Sequence, residues 1–179
     1  VFERSSTGLR DRGAGIAIPN PLRESLIARN YLDADYPYWP AQRRHWIIKE
    51  GNTPTGRVLW EQPGEASLNN WSILWKSLRA RVSDHNYRDG TRVESFSQDT
   101  AGVTLTLAGG ESGHFDVVIG ADGYRSAIRA TIHPVISPEY AGYILWRGNF
   151  PEARVVDRVH LDALDASHAW DTICFRNGH

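Results

Sequence analysis

The stretch from Asp116 to Arg129, DVVIGADGYRSAIR, constrains this chain most. Phe115 to Ile119 reads as an apolar strand of the kind buried on both faces of a sheet. Gly120-Ala121-Asp122-Gly123 then turns sharply, and Tyr124 to Ile132 reads as a short helix. A glycine-rich turn between a strand and a helix lets backbone N–H groups and the helix N-terminus come close to an anionic group. One carboxylate, that of Asp122, is held at the turn, where it can orient a water or a sugar hydroxyl beside that anion. Ala-Asp-Gly by itself is a common strand-to-helix turn. The longer string, with Ser126 and Arg129 in place, is far more specific.

Upstream of this string the chain alternates between strand and helix patterns. Val1-Phe2 looks like the end of a buried strand, with Glu3 at its carboxyl end, and residues 5–15 are polar and glycine-rich, hence loop. Asn20-Pro21 supplies an N-cap and a first-turn proline for a helix running toward Asn30. Tyr36 to Pro40 is an aromatic, proline-broken connector. Two strands, His45 to Lys49 and Arg57 to Glu61, flank Gly51, Pro54 and Gly56 and read as a hairpin with a long loop. Trp71, Leu74, Trp75, Leu78 and Val82 recur at helical spacing, so a second helix begins there, with Asn70 as its N-cap. Thr91 to Ser97 and the alternating Val103, Leu105 and Leu107 read as strands, as does Ala141 to Phe150. The tail from Glu152 to His179 gives no clear pattern.

Charge and composition exclude several roles. Twenty basic residues stand against 21 acidic ones, a formal net charge of -1, which gives no long-range field for nucleic acid or an anionic membrane. No apolar run approaches the roughly 18 residues of a membrane span. Cys174 is the single cysteine, so no disulfide forms within the chain, in keeping with a reducing cytoplasm. None of the seven histidines forms a His-x-x-x-His pair or joins Cys174 at metal-ligand spacing, so no metal site is expected. No Gly-x-Ser-x-Gly elbow or Walker loop occurs. The chain lacks methionine and opens at Val1, and it is read as starting inside a longer polypeptide.

The Asp116–Arg129 string resembles the Asp-Gly motif of the FAD-dependent aromatic hydroxylases, the class that includes para-hydroxybenzoate, salicylate and dihydroxypyridine hydroxylases. The likeness extends along most of the chain. Val1-Phe2-Glu3-Arg4-Ser5 is similar to the end of the family's second strand, where the acid binds the FAD ribose. A carboxylate there can accept two hydrogen bonds from a ribose diol. Arg12-Gly13-Ala14-Gly15-Ile16 resembles the segment that approaches the flavin. The Trp71–Val82 helix, followed by Tyr87 to Gly90 and Val93, resembles the adenine-side elements, with Val93 acting through its backbone. Tyr140 to Gly148 looks like the strand entering the substrate domain, especially in the dihydroxypyridine-hydroxylase branch. Two family features are absent: the Gly-x-Gly-x-x-Gly fingerprint, expected roughly 20 residues before the ribose-binding acid, and the later Gly-Asp motif.

The resemblance implies an α/β fold: a Rossmann-like FAD/NAD(P)-binding domain interleaved with an antiparallel-sheet substrate domain, incomplete at both ends. Residues 1–42 and 66–132 would belong to the FAD-binding part, and 43–65 and 133–179 to the substrate-binding part. Glu3, Arg4, Arg12, Val93, Asp122 and Gly123 would contact the cofactor, with Glu3 and Asp122 sharing one crevice. The implied activity is hydroxylation of an aromatic or heteroaromatic ring with FAD, NAD(P)H and dioxygen, in a cytoplasmic enzyme without nucleic-acid or membrane partners and with room for a homodimer. The same cofactor domain also serves halogenases and dehydrogenases, and a non-catalytic binding module is the third alternative. The catalytic residues stay unassigned.

Overall fold

The computed structural model describes residues 1–6, 13–50, 56–145, 151–156 and 158–174. The chain divides into two units, each treated by itself: Arg10–Arg81 with Arg147–His179, and Val1–Leu9 with Val82–Trp146. Residues 10–42 and 66–81 cluster with the hairpin around 43–65 in the first of these units.

In the first of these units, β1 (Gly15–Pro19) runs directly into α1 (Asn20–Ala28). Pro19 occupies the N-cap, so Asn20, expected there, is instead the first helical residue. Its Oδ1 accepts the hydroxyl of the fully buried Ser67 at 2.9 Å, which ties the helix start to the neighbouring strand. β2 (Trp39–Ile48) and β3 (Arg57–Asn70) form an antiparallel pair longer than the expected hairpin. The proline connector ends early, since Trp39 and Pro40 already pair with Leu68 and Ser67. Asn70 caps α2 (Trp71–Arg79) as its sequence predicts, accepting the Ser72 N–H at 2.8 Å, while Lys76 and Arg79 sit in the last turn, where the helix dipole favours cations.

The patternless tail contributes α4 (Val159–Ser167) and β7 (Ala169–Cys174). β7 lies parallel to β2, from Arg43 opposite Ala169 to Ile48 opposite Cys174. The sheet order is β1-β3-β2-β7, so the sheet is mixed. Its apolar core joins Ile18, Leu32 and Tyr36 to Ile16, Leu26, Ile27, Ile73 and Leu74, drawn from β1, α1, α2 and the segment after α1.

The other unit is built on an antiparallel meander of β4 (Val93–Asp99), β5 (Gly102–Leu107) and β6 (Ser112–Phe115). The first residues run alongside 86–91: the Arg88 N–H donates to the Val1 carbonyl, the Glu3 N–H to Arg88 and the Thr91 N–H to Glu3, each at 2.9 Å. Phe2 packs edge-to-face on Phe115, with ring centroids 5.9 Å apart. α3 (Ala127–Ile132) rests on β4.

Two expected strands are corrected here. The run from Phe115 to Ile119 leaves the sheet at Phe115, and Val117 and Ile119 are 76% and 86% exposed. The β5–β6 ladder ends where Phe115 meets Val103, and among the described residues no strand lies beside 116–119 to take up their backbone groups. Residues 141–145 likewise form no strand, and the rest of that predicted element, 146–150, lies outside the described residues. No helix of the described residues is long and apolar enough to cross a membrane.

Candidate functional site

Glu3 stands at the end of the strip paired with residues 86–91 and is only partly exposed. Its Oε1 accepts the Ser5 N–H at 2.7 Å, a local turn that fixes the carboxylate, and its Oε2 has no partner among the described residues. Arg4 is exposed and forms no hydrogen bond or ion pair among the described residues. Thr91, bound to Glu3, leads straight into β4, where Val93 lies opposite Leu107 beside a bulge in the pairing.

The Asp122 turn is built around α3. Asp122 Oδ2 accepts the Ala127 N–H at 2.7 Å, and Ser126 Oγ accepts the Arg129 N–H at 2.9 Å, so two first-turn donors are satisfied by side chains. Partial burial is the largest single influence on the Asp122 carboxyl and raises its pKa. Hydrogen bonds from the Ser126 hydroxyl and from the Asp122, Ala127 and Ile128 N–H groups outweigh it together, and the net shift is downward. Gly123 has φ of +82°, a conformation that L side chains rarely adopt, and a Cβ there would meet nothing within 4 Å. Arg129 Nη2 donates to the Tyr124 carbonyl and closes the turn from its other side.

Five of the six expected cofactor contacts, Glu3, Arg4, Val93, Asp122 and Gly123, therefore fall in one unit. The Glu3 strip is bonded to the segment entering β4, and the helix capped by Asp122 packs on β4. Arg12 lies outside the described residues. In the structure Oδ2 of the Asp122 carboxylate also shapes the helix start. These residues suit an FAD nucleotide: a fixed carboxylate with an unspent oxygen matches a ribose diol, an unpaired guanidinium matches a phosphate, and the glycine turn leaves open space.

No protein-family model matches the chain. Over 159 residues it is 43% identical to an aurachin C monooxygenase/isomerase of Stigmatella aurantiaca, covering 83% of this chain and 40% of that protein. It is 26% identical, also over 159 residues, to a 2,6-dihydroxypyridine 3-monooxygenase of Paenarthrobacter nicotinovorans, covering 89% of this chain and 38% of the relative. The solved 2,6-dihydroxypyridine-3-hydroxylase of Arthrobacter nicotinovorans superposes on 79% of the chain and 35% of its own length, with a TM-score of 0.64 at 25% identity. The chain is a homologue of the FAD-dependent monooxygenases. Its mixed sheets and few helices match those of its structural neighbours in that group. The chain spans about 40% of the length of the curated relatives it matches.

One row of side chains escaped the sequence reading. His45 of β2 lies between Asp171 of β7, 3.1 Å from its Nδ1, and Glu61 of β3, 3.3 Å from its Nε2. Local spacing could not show it, because Asp171 comes from the tail, 126 residues away. Among the described residues no group of three or more His, Cys, Asp or Glu is arranged to hold a metal ion.

Proposed function

We propose that the protein containing this chain is an FAD-dependent monooxygenase that hydroxylates an aromatic or heteroaromatic ring with NAD(P)H and dioxygen. The observation that carries this reading is the Glu3 carboxylate, fixed by Ser5 with Oε2 unspent, in the same unit as Val93 and the Asp122–Gly123 turn of a monooxygenase homologue.

Glu3 would hold the ribose of FAD, Arg4 and Arg12 would meet its anionic groups, and the Val93 backbone would face the adenine side. Asp122 and Gly123 would shape the turn beside the diphosphate. When bound, FAD carries the redox chemistry, taking electrons from NAD(P)H and using dioxygen to hydroxylate the ring. The protein's part is to hold the ring in place and keep water out. Residues 1–42 and 66–132 would serve FAD, and 43–65 and 133–179 the ring. The name of one relative, a 2,6-dihydroxypyridine 3-monooxygenase, favours a heteroaromatic substrate. The balanced charge and the lack of a membrane-spanning helix among the described residues favour a cytoplasmic enzyme.

The test is FAD titration of the full-length protein and its Glu3→Gln variant. The parent should purify with flavin absorbance, and the variant should bind FAD about tenfold or more weakly, the scale expected for a lost hydrogen bond to a charged group. A full-length protein that takes up no flavin contradicts the proposal.

A further inference from the structure

We propose that Arg88 is a positioning residue: it fixes the register of the Glu3 strip and so sets where the Glu3 carboxylate meets the FAD ribose, an assignment that rests on the monooxygenase reading above. Phe2 and Arg88 form a parallel bridge, so their side chains share one face of the strip. Glu3, the next residue, belongs by alternation to the other face. Backbone bonds hold residues 1–5 beside 86–91, but N–H and carbonyl groups recur at every residue and do not by themselves choose a register. A slip of one residue would turn Glu3 to the face that Phe2 now occupies. Side chains have to make the choice.

Arg88 makes it through its guanidinium. Nη1 and Nη2 donate to the two carboxylate oxygens of Glu111 at 2.6 and 2.7 Å, a bidentate pair that fixes the guanidinium in direction as well as distance. The same guanidinium lies 5.6 Å from the centroid of the Phe2 ring, within the range of cation–π attraction. Glu111 is a firm anchor. Its carbonyl accepts the Leu107 N–H at 2.8 Å, and Leu107 is buried opposite Val93. One side chain therefore ties the residue before Glu3 to the level of Val93 in β4. The hydrogen bond from Arg88 also holds the Glu111 carboxyl below its ordinary range, so both partners stay charged at neutral pH.

Exposed ion pairs ordinarily add little to global stability, and the side chains of Arg88 and Glu111 are 45% and 58% exposed. The effect of this pair is local: it holds one strip in one register, and a several-fold change at the site is its scale. A direct electrostatic effect on the cofactor would have a different sign. FAD carries a diphosphate, so removing the negative charge of Glu111 would by charge alone tighten binding. Loss of positioning weakens it.

The test is FAD titration of the full-length protein and its variants, with urea denaturation of each alongside. Glu111→Gln should weaken FAD binding by about three- to fivefold, the upper end for an exposed pair, with the urea midpoint unchanged. Arg88→Gln, which also uncovers Phe2, should weaken it at least as much. Arg88→Glu sets two carboxylates together and should weaken it further, and adding Glu111→Arg should restore most of that loss. Unchanged or tighter FAD binding in Glu111→Gln, weakening that merely tracks a lower urea midpoint, or no recovery in the double variant overturns the assignment while the monooxygenase reading stands. A full-length parent that takes up no flavin overturns both. In the flavin-free protein, amide hydrogen exchange at Glu3 and Thr91 should quicken in Glu111→Gln, and exchange equal to the parent's would also overturn the assignment.

Discussion

The Asp122 carboxylate and the Ala127 backbone N–H are joined by a 2.7 Å hydrogen bond that spans the turn and anchors the first residue of α3. Asp122→Ala removes this acceptor, leaves Ala127 to water and should destabilise its unit by about 1 kcal/mol, the usual cost of losing a helix-start acceptor. Urea denaturation checks this, and Asp122→Asn, which keeps an acceptor oxygen, should lose less.

The same bond carries a pH dependence. The folded carboxyl sits below its ordinary value of 3.8, so the charged form is favoured by folding. Its contribution is complete above the unfolded value and is lost as pH falls through the lower folded one. Acid denaturation of Asp122→Asn should therefore lack the part of the slope just below pH 3.8 that the parent shows. Identical acid limbs for the two proteins would contradict this.

Gly13 and Trp71 define a close approach between the loop before β1 and the start of α2. Gly13 has φ of +108°, and a Cβ there would lie 2.7 Å from the Cβ of Trp71. The Trp71 N–H also donates to the Ala14 carbonyl at 3.1 Å, so the loop cannot simply move away. Gly13→Ala should cost more than the roughly 1–2 kcal/mol of a left-handed backbone alone. It should also weaken FAD binding in the full-length protein, because this loop resembles the one that approaches the flavin. A Tm equal to the parent's would refute the contact.

Leu32 is fully buried against Ile18 and Tyr36, and the residues around it come from β1, α1 and α2. Leu32→Ala should destabilise its unit by about 2–5 kcal/mol through lost burial and a residual cavity. Chemical denaturation that reports on Trp71 and Trp75, stacked at 6.4 Å on α2, would register it.

What was legible in the sequence was what local chemistry determines. Helical spacing and an Asn cap placed α2, alternation placed β5, and the Asp-Gly string with the Glu3 segment pointed to the family that the relatives then supplied. What was not legible depends on partners far along the chain. Residues 116–119 carry strand-forming side chains, yet no strand pairs with them among the described residues. β7 has no distinctive pattern and becomes a strand because β2 offers it a parallel edge. The His45 row depends on that same long-range register. The engagement of Asp122 was hidden for another reason: the motif shows that a carboxylate is present, and only the coordinates show that α3 uses it.

The central claim is that the protein containing this chain inserts oxygen into an aromatic ring by means of FAD. The most direct measurement supplies the flavin-loaded full-length protein with NAD(P)H, 2,6-dihydroxypyridine and isotopically labelled dioxygen, and analyses the product by mass spectrometry. The account predicts NAD(P)H oxidation accelerated by the ring compound and one labelled oxygen atom in the hydroxylated product. Flavin-dependent NAD(P)H oxidation that leaves the ring unlabelled would contradict it.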